Sequence, residues 1–186
     1  PKRNVLGYSE ERASRRNAHG DGMNILALDP GTEKSAFVVY DCEQHAIKDK
    51  GIWGNEELLG WLRENNSGAP LAIEMIASYG MPVGREVFET CLWAGRFQEI
   101  IKKHEKPFEL VYRKEVKQHL CGSLKANDSN IRQAIIDLFP ATGGGKKPVI
   151  GTKSEPGPLY GISNDVWAAL GVAITYSNKK RLEEAV

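Results

Sequence analysis

Three carboxylates sit where apolar runs begin or end. Asp29 closes "NILALD", Glu74 nearly closes "APLAIEM", and Asp165 leads into "DVWAALGVAIT". A carboxylate flanked by apolar residues at the end of an element needs a partner, because an unpaired buried charge is costly. Converging carboxylates repel, so such a group either takes up protons or binds cations. Hard cations such as Mg²⁺ or Mn²⁺ prefer oxygen ligands and leave room for water and phosphate. Two such ions about 3.5–4 Å apart suit in-line phosphodiester hydrolysis. Each acid also has an ordinary use. Asp29 before Pro30-Gly31 shapes a turn, Glu74 serves as a strand-end surface residue, and Asp165 suits the start of a helix. Taken together the three point to a metal centre. Gly31, without a side chain, leaves room for a phosphate backbone to approach Asp29.

The pattern of elements says how these acids meet. "NILALD" is an apolar run typical of a strand buried on both faces. "SAFVVYD" and "HAIKDKGIW" follow as strands, with a polar connection at 42–44 that suggests a meander. "NEELLGWLREN" has Leu58, Leu59 and Leu62 at helical spacing with Asn55 as N-cap. "APLAIEM" is a short buried strand. A helix from about 84 to 104 carries a broad apolar stripe (Val87, Cys91, Ala94, Phe97, Ile100, Ile101) that suits a core or a dimer interface. "FELVY" is a strand, "RKEVKQHL" a short basic helix, and "NDSNIRQAIIDLF" an amphipathic helix capped by Asp128 or Ser129. Residues 140–162 are dense in Gly, Pro and Lys and read as a mobile loop. The final helix is largely buried, with Ser163 or Asn164 as cap and Asp165 in its first turn. The order predicts a mixed α/β fold with a sheet between helices.

Residues 1–22 are polar and aperiodic and read as a flexible leader or arm; the folded domain spans 23–186. The length suits one core. Cys42, Cys91 and Cys121 are widely spaced with no C-x-x-C pair, which argues against a disulfide framework or zinc knuckle and for a cytoplasmic setting. No apolar run is long enough for a membrane span. "ATGGGKKP" fails the phosphate-loop spacing, because Pro140 replaces the first glycine and Lys147 the Ser/Thr. Net charge is only +1, yet residues 102–153 hold eleven Lys/Arg against five Asp/Glu. That local excess fits either a polyanion-facing surface or a solvated basic face.

"ILALDPGTEKSAFVVY", "LAIEM", "VYRKEVKQHL" and "DVWAALGVAIT", in this order, resemble RuvC-type Holliday-junction resolvases, and most closely their shortened, phage-like branch. The resemblance spans residues 23–178. It implies an RNase H-like fold with a mixed five-stranded sheet, and a Mg²⁺- or Mn²⁺-dependent endonuclease acting on branched DNA. It further implies a homodimer in the bacterial or phage-infected host cytoplasm. By position, Asp29, Glu74 and Asp165 match the family's metal ligands, and Lys117 a basic position near the scissile phosphate. A second acid expected three residues after Asp165 is Ala168 here, which bears on the second metal; Asp128 is either its replacement or, the favoured reading, a helix cap. The family's next basic position falls on Asp128, with Lys125 the nearest substitute. Arg113, Lys114, Lys117 and Lys125 are the expected DNA-binding cations, extended by Arg132, Lys146, Lys147 and Lys153. Tyr79 and Met81 either stack on an opened junction or fold back on the core.

Two other functions fit parts of the sequence. A branched-DNA binding protein that has lost cleavage draws on Ala168. An actin-like ATPase draws on "LDPGT", which resembles that superfamily's phosphate-binding turn, although a second glycine-rich phosphate turn is missing.

Overall fold

The computed structural model describes residues 24–65, 68–78 and 80–184; the leader expected over 1–22, and Tyr79, lie outside them. The apolar run "NILALD" forms β1 (Asn24–Asp29), whose four central residues are buried. β2 (Lys34–Asp41) and β3 (Ala46–Gly54) complete the expected antiparallel meander. Asp41 holds the β2–β3 turn by accepting the backbone N–H groups of Glu43 and Gln44. The chain continues as α1 (Asn55–Glu64), β4 (Leu71–Met75), α2 (Arg85–Lys103), β5 (Phe108–Tyr112) and α3 (Arg113–Cys121). It ends with α4 (Asp128–Asp137) and α5 (Val166–Glu184). Strand order is β3-β2-β1-β4-β5, with β4 parallel to both β1 and β5. This is the mixed five-stranded sheet flanked by helices that the sequence predicts.

Strand alternation divides the core in two. Leu26, Leu28, Phe37, Leu71 and Ile73 face α1 and α2, where Leu58, Leu59, Leu62, Ala94, Phe97, Ile100 and Ile101 are buried against them. Ile25, Ala27, Ala36, Val38, Ala72 and Val111 face the other way, under α5 and its neighbours α3 and α4. α5 is buried along most of its length because it lies across β1, β2 and β4 while α3 and α4 close over it. The apolar stripe of α2 is therefore core over its C-terminal half. Its N-terminal half leaves Phe88 61% and Leu92 69% exposed. All three cysteines are free thiols, and no helix among the described residues is long and apolar enough to cross a membrane.

Three local expectations are corrected. Asn127, not Asp128 or Ser129, caps α4: its Oδ1 accepts the Asn130 N–H at 2.9 Å, and the Asn130 side chain accepts the Asn127 N–H at 3.0 Å. That reciprocal pair satisfies two free donors at once and leaves the Asp128 carboxylate available. At α5 the first helical carbonyl is that of Asp165, which accepts from Ala169 N at 3.0 Å. The backbone carbonyls of Ser163 and Asn164 accept from Val166 and Trp167 and form a tight lead-in. Residues 140–162 are a closed lobe rather than a mobile loop. Gly143 N donates to Pro148 O at 2.8 Å, Gly144 N to Glu155 O at 2.9 Å and Gly157 N to Ile150 O at 3.0 Å. A Cβ on Gly157 would stand 2.3 Å from Pro148 O, so the glycines there serve close backbone packing, and Leu159 and Ile162 anchor the lobe in the core.

Candidate active site

The register of the sheet brings the acids together. Leu28 on β1 pairs with Ile73 on β4 in parallel, so Asp29 and Glu74 follow side by side at the same edge of the sheet. Adjacent strands lie about 4.8 Å apart, within reach of two carboxyl groups. Residue parity then sets the face: Asp29 shares it with Ala27, and Glu74 with Ala72, both under α5. Asp165 stands exposed at the head of α5, over the same edge. Val111 on β5 has the same orientation, and two residues on comes Arg113.

Charge crowding is pronounced here. Burial pushes the Asp29 carboxyl up to about 8, with the charges of Glu74 and Asp165 and a hydrogen bond shared with Glu74 acting in the same direction; Arg113 opposes them. Burial also raises Glu74, against the pull of Arg113 and the hydrogen bond to Asp29. A centre that holds protons this tightly is short of positive charge, and its donors are hard carboxylate oxygens; both properties fit a hard divalent cation. Among the described residues, however, no three His, Cys, Asp or Glu side chains are gathered for a single ion. Asp29 and Glu74 are in contact, whereas Asp165 acts on Asp29 as a nearby charge. Ala168, three residues into α5 from Asp165, brings no oxygen.

The Asp-Pro-Gly turn is held from below by residues whose role is hidden in the sequence. Asn55 is the first residue of α1, but its side chain does not cap that helix. Its Nδ2 donates to Gly31 O at 2.9 Å and its Oδ1 accepts from Ser35 Oγ at 2.6 Å, while Ser35 Oγ accepts from Gly31 N at 3.3 Å. Gly31 is required by its own chain, since a Cβ there would meet the Lys34 carbonyl oxygen at 2.4 Å. The bare Cα is thus explained within the turn itself, without a ligand. Asn55→Ala leaves a buried hydroxyl and a carbonyl without their partner, and should destabilise the fold by about 2–3 kcal/mol in urea denaturation.

Of the expected cations, Arg113 is in contact with the acids: Nη1 lies 3.3 Å from Glu74 Oε1, and Nη2 pairs with Asp128. Lys117 is half-buried on α3 and makes no ion pair among the described residues; Lys125 is exposed ahead of α4. Lys114 lines a cleft of about 580 Å³ between α3 and α5, with Tyr112, Glu115, Gln118, Thr175 and Lys179 among its walls; none of the three acids lines it. Arg132 stacks on Trp167, 4.7 Å from the ring centre. Two of the five acids in the basic stretch, Glu109 and Glu115, are engaged by Lys179 from α5. The bonds of Asn55 to Ser35 and Gly31, and the pairing of Arg113 with Asp128, went unread in the sequence. Only the parity of Arg113 with Val111 signalled its direction.

A meander of antiparallel strands extended by two parallel ones, with helices on both faces, defines an RNase H-like fold. Solved RuvC structures share this fold. The Thermus thermophilus RuvC structure matches at a TM-score of 0.62 and 15% identity, covering 87% of this chain and 97% of that chain. T. thermophilus RuvC in complex with Holliday junction substrate matches at 0.60 and 14% identity, covering 86% and 96%. In sequence, no protein-family model and no curated protein matches.

Proposed function

We propose that the protein is a divalent-metal-dependent endonuclease that cleaves four-way junctions or other branched DNA, and that it works as a homodimer. The observation that carries this reading is the contact between Asp29 and Glu74 at neighbouring parallel strand ends, with Asp165 adding its charge and burial raising Asp29 to about 8. The RuvC-like fold supports it, as does the Holliday junction substrate held by the T. thermophilus neighbour.

In this reading Asp29 and Glu74 hold Mg²⁺ or Mn²⁺, with Asp165 supplementing the charge. The ion would supply Lewis acidity toward a phosphoryl oxygen and a water acidified for attack. The rigid sheet end fixes both carboxylates, and the Asn55–Ser35–Gly31 bonds keep the turn after Asp29 from shifting. Lys117 stabilises charge developing on the scissile phosphate. Arg113, Lys114 and Lys125 contact backbone phosphates, which gives affinity without reading sequence. Tyr79 is assigned to base stacking. Met81 (67% exposed), Phe88 and Leu92 form apolar surface suited to a second copy of the chain. Sedimentation should give twice the 20.6 kDa chain mass, shifting toward monomer in Leu92→Arg.

The test is incubation with a synthetic four-way junction. Nicks that require Mg²⁺ and vanish with chelator support the reading. Tight binding without nicks in any divalent cation would favour a junction-binding protein instead, a reading helped by Ala168 and by the Arg113–Glu74 pair.

A further inference from the structure

Arg113 links the acidic centre to the surface. Its Nη1 reaches Glu74, whose side chain is 10% exposed, and its Nη2 reaches Asp128, whose side chain is 83% exposed. One arm of the guanidinium therefore points inward to a buried acid while the other is tethered outside. Asp128 can serve as the tether because Asn127 has taken the helix cap. Glu74 is engaged twice, by Arg113 and by the Asp29 carboxyl. A cation entering between Asp29 and Glu74 meets a positive charge already on Glu74, and two such charges repel strongly where water is partly excluded.

A guanidinium suits a part that changes partners. Its donors form a rigid fork that fits a phosphate as well as a carboxylate, so one arm can be released while the other stays bound. DNA laid across this sheet edge offers phosphates close to that arm. Resting on the nuclease reading above, we propose that Arg113 is a positioning residue that gates cation entry: it pairs with Glu74 in the cation-free centre and transfers to a DNA phosphate, pivoting on Asp128, so that cation and DNA load together. The cation and the phosphodiester backbone are then linked ligands, each favouring the other through Arg113.

The test measures Mn²⁺ affinity by calorimetry on the full chain without DNA, which needs no cleavage. A unit charge at this distance alters a carboxylate's affinity for a bound proton by about tenfold or more. Arg113→Gln should therefore bind Mn²⁺ about tenfold more tightly than the unaltered protein, while Arg113→Lys, which keeps the charge, stays within about threefold. Asp128→Asn should bind less tightly, since Arg113 then has Glu74 as its remaining partner. With a junction added in Ca²⁺, Arg113→Gln should lose most of the DNA-induced gain in cation affinity, and Arg113→Lys should restore it. A merely structural arginine would not tighten metal binding when removed. Should Arg113→Gln fail to fold, judged by its melting curve, the Arg113→Lys and Asp128→Asn affinities decide the matter. Equal or weaker Mn²⁺ binding by folded Arg113→Gln overturns the gate and leaves the nuclease reading standing. Absence of binding by every variant at millimolar Mn²⁺ overturns both.

Discussion

Asp29→Asn should lower Mg²⁺-dependent junction cleavage by about 100-fold or more while leaving junction affinity in chelator within about threefold, and Glu74→Gln should lower cleavage as far. Both substitutions keep the shape of the side chain and remove one charged oxygen, so packing at the sheet end survives. What they remove is the pair of acids held side by side by the β1–β4 register. In the proposed reading, DNA affinity rests instead on the basic residues of α3 and its surroundings. The stability of these variants separates a functional acid from a structural one. Relief of repulsion should hold or raise the melting temperature of Asp29→Asn in the absence of metal, because burial and the charges of Glu74 and Asp165 all disfavour the Asp29 carboxylate. Loss of cleavage in a protein as stable as the original marks an acid retained for chemistry. Single-turnover rates and thermal melts on the same preparations provide the check, and near-normal cleavage by either variant would remove the basis for the assignment.

The second large effect is a pH dependence of folding. Asp29 has a carboxyl whose ordinary value of 3.8 is raised in the fold to about 8, chiefly by burial. Between those values the folded protein holds a proton that the unfolded chain has released. Raising the pH therefore favours the unfolded state: the stability is fully present below about pH 4, declines through the interval, and levels off above about pH 8. A tenfold difference in proton affinity between the two states corresponds to about 1.4 kcal/mol, but Asp29 is only half-buried. Discounted for solvent screening, the expected loss across the window is on the order of 2–3 kcal/mol. Glu74, raised for the same reason, adds to the slope with the same sign. Urea denaturation between pH 5 and pH 8 in chelator reads it directly. Asp29→Asn should flatten most of the slope, and millimolar Mg²⁺ should flatten it in the unaltered protein. Stability rising across that range would contradict the placement of Asp29 beside Glu74 in a buried acidic centre.

The parts legible in the sequence are those governed by periodicity. The five strands and five helices of the described residues follow from apolar runs and stripes, and the ends of β1 and β4 mark Asp29 and Glu74. Features that depend on contacts far apart in the chain stayed hidden. Asn55 looks like a helix cap because it sits where caps sit, yet the buried Ser35 and Gly31, more than twenty residues away in the case of Gly31, claim its side chain. Gly31 looks like a concession to a ligand, but the clash it avoids is with Lys34 in its own turn. The glycines of 140–162 look like flexibility when read as composition; in the fold they let the backbone pack against itself. Arg113 looks like one more basic residue, and only the parallel pairing of β4 with β5 carries it to Glu74.

That Asp29 and Glu74 hold a catalytic cation is tested most directly by anomalous scattering from crystals soaked in Mn²⁺. The expected result is an ion between these two side chains, at about 2.1 Å from a carboxylate oxygen of each, with Arg113 withdrawn from Glu74. Crystals in millimolar Mn²⁺ whose Asp29 and Glu74 still share their hydrogen bond, with no ion between them, would contradict it.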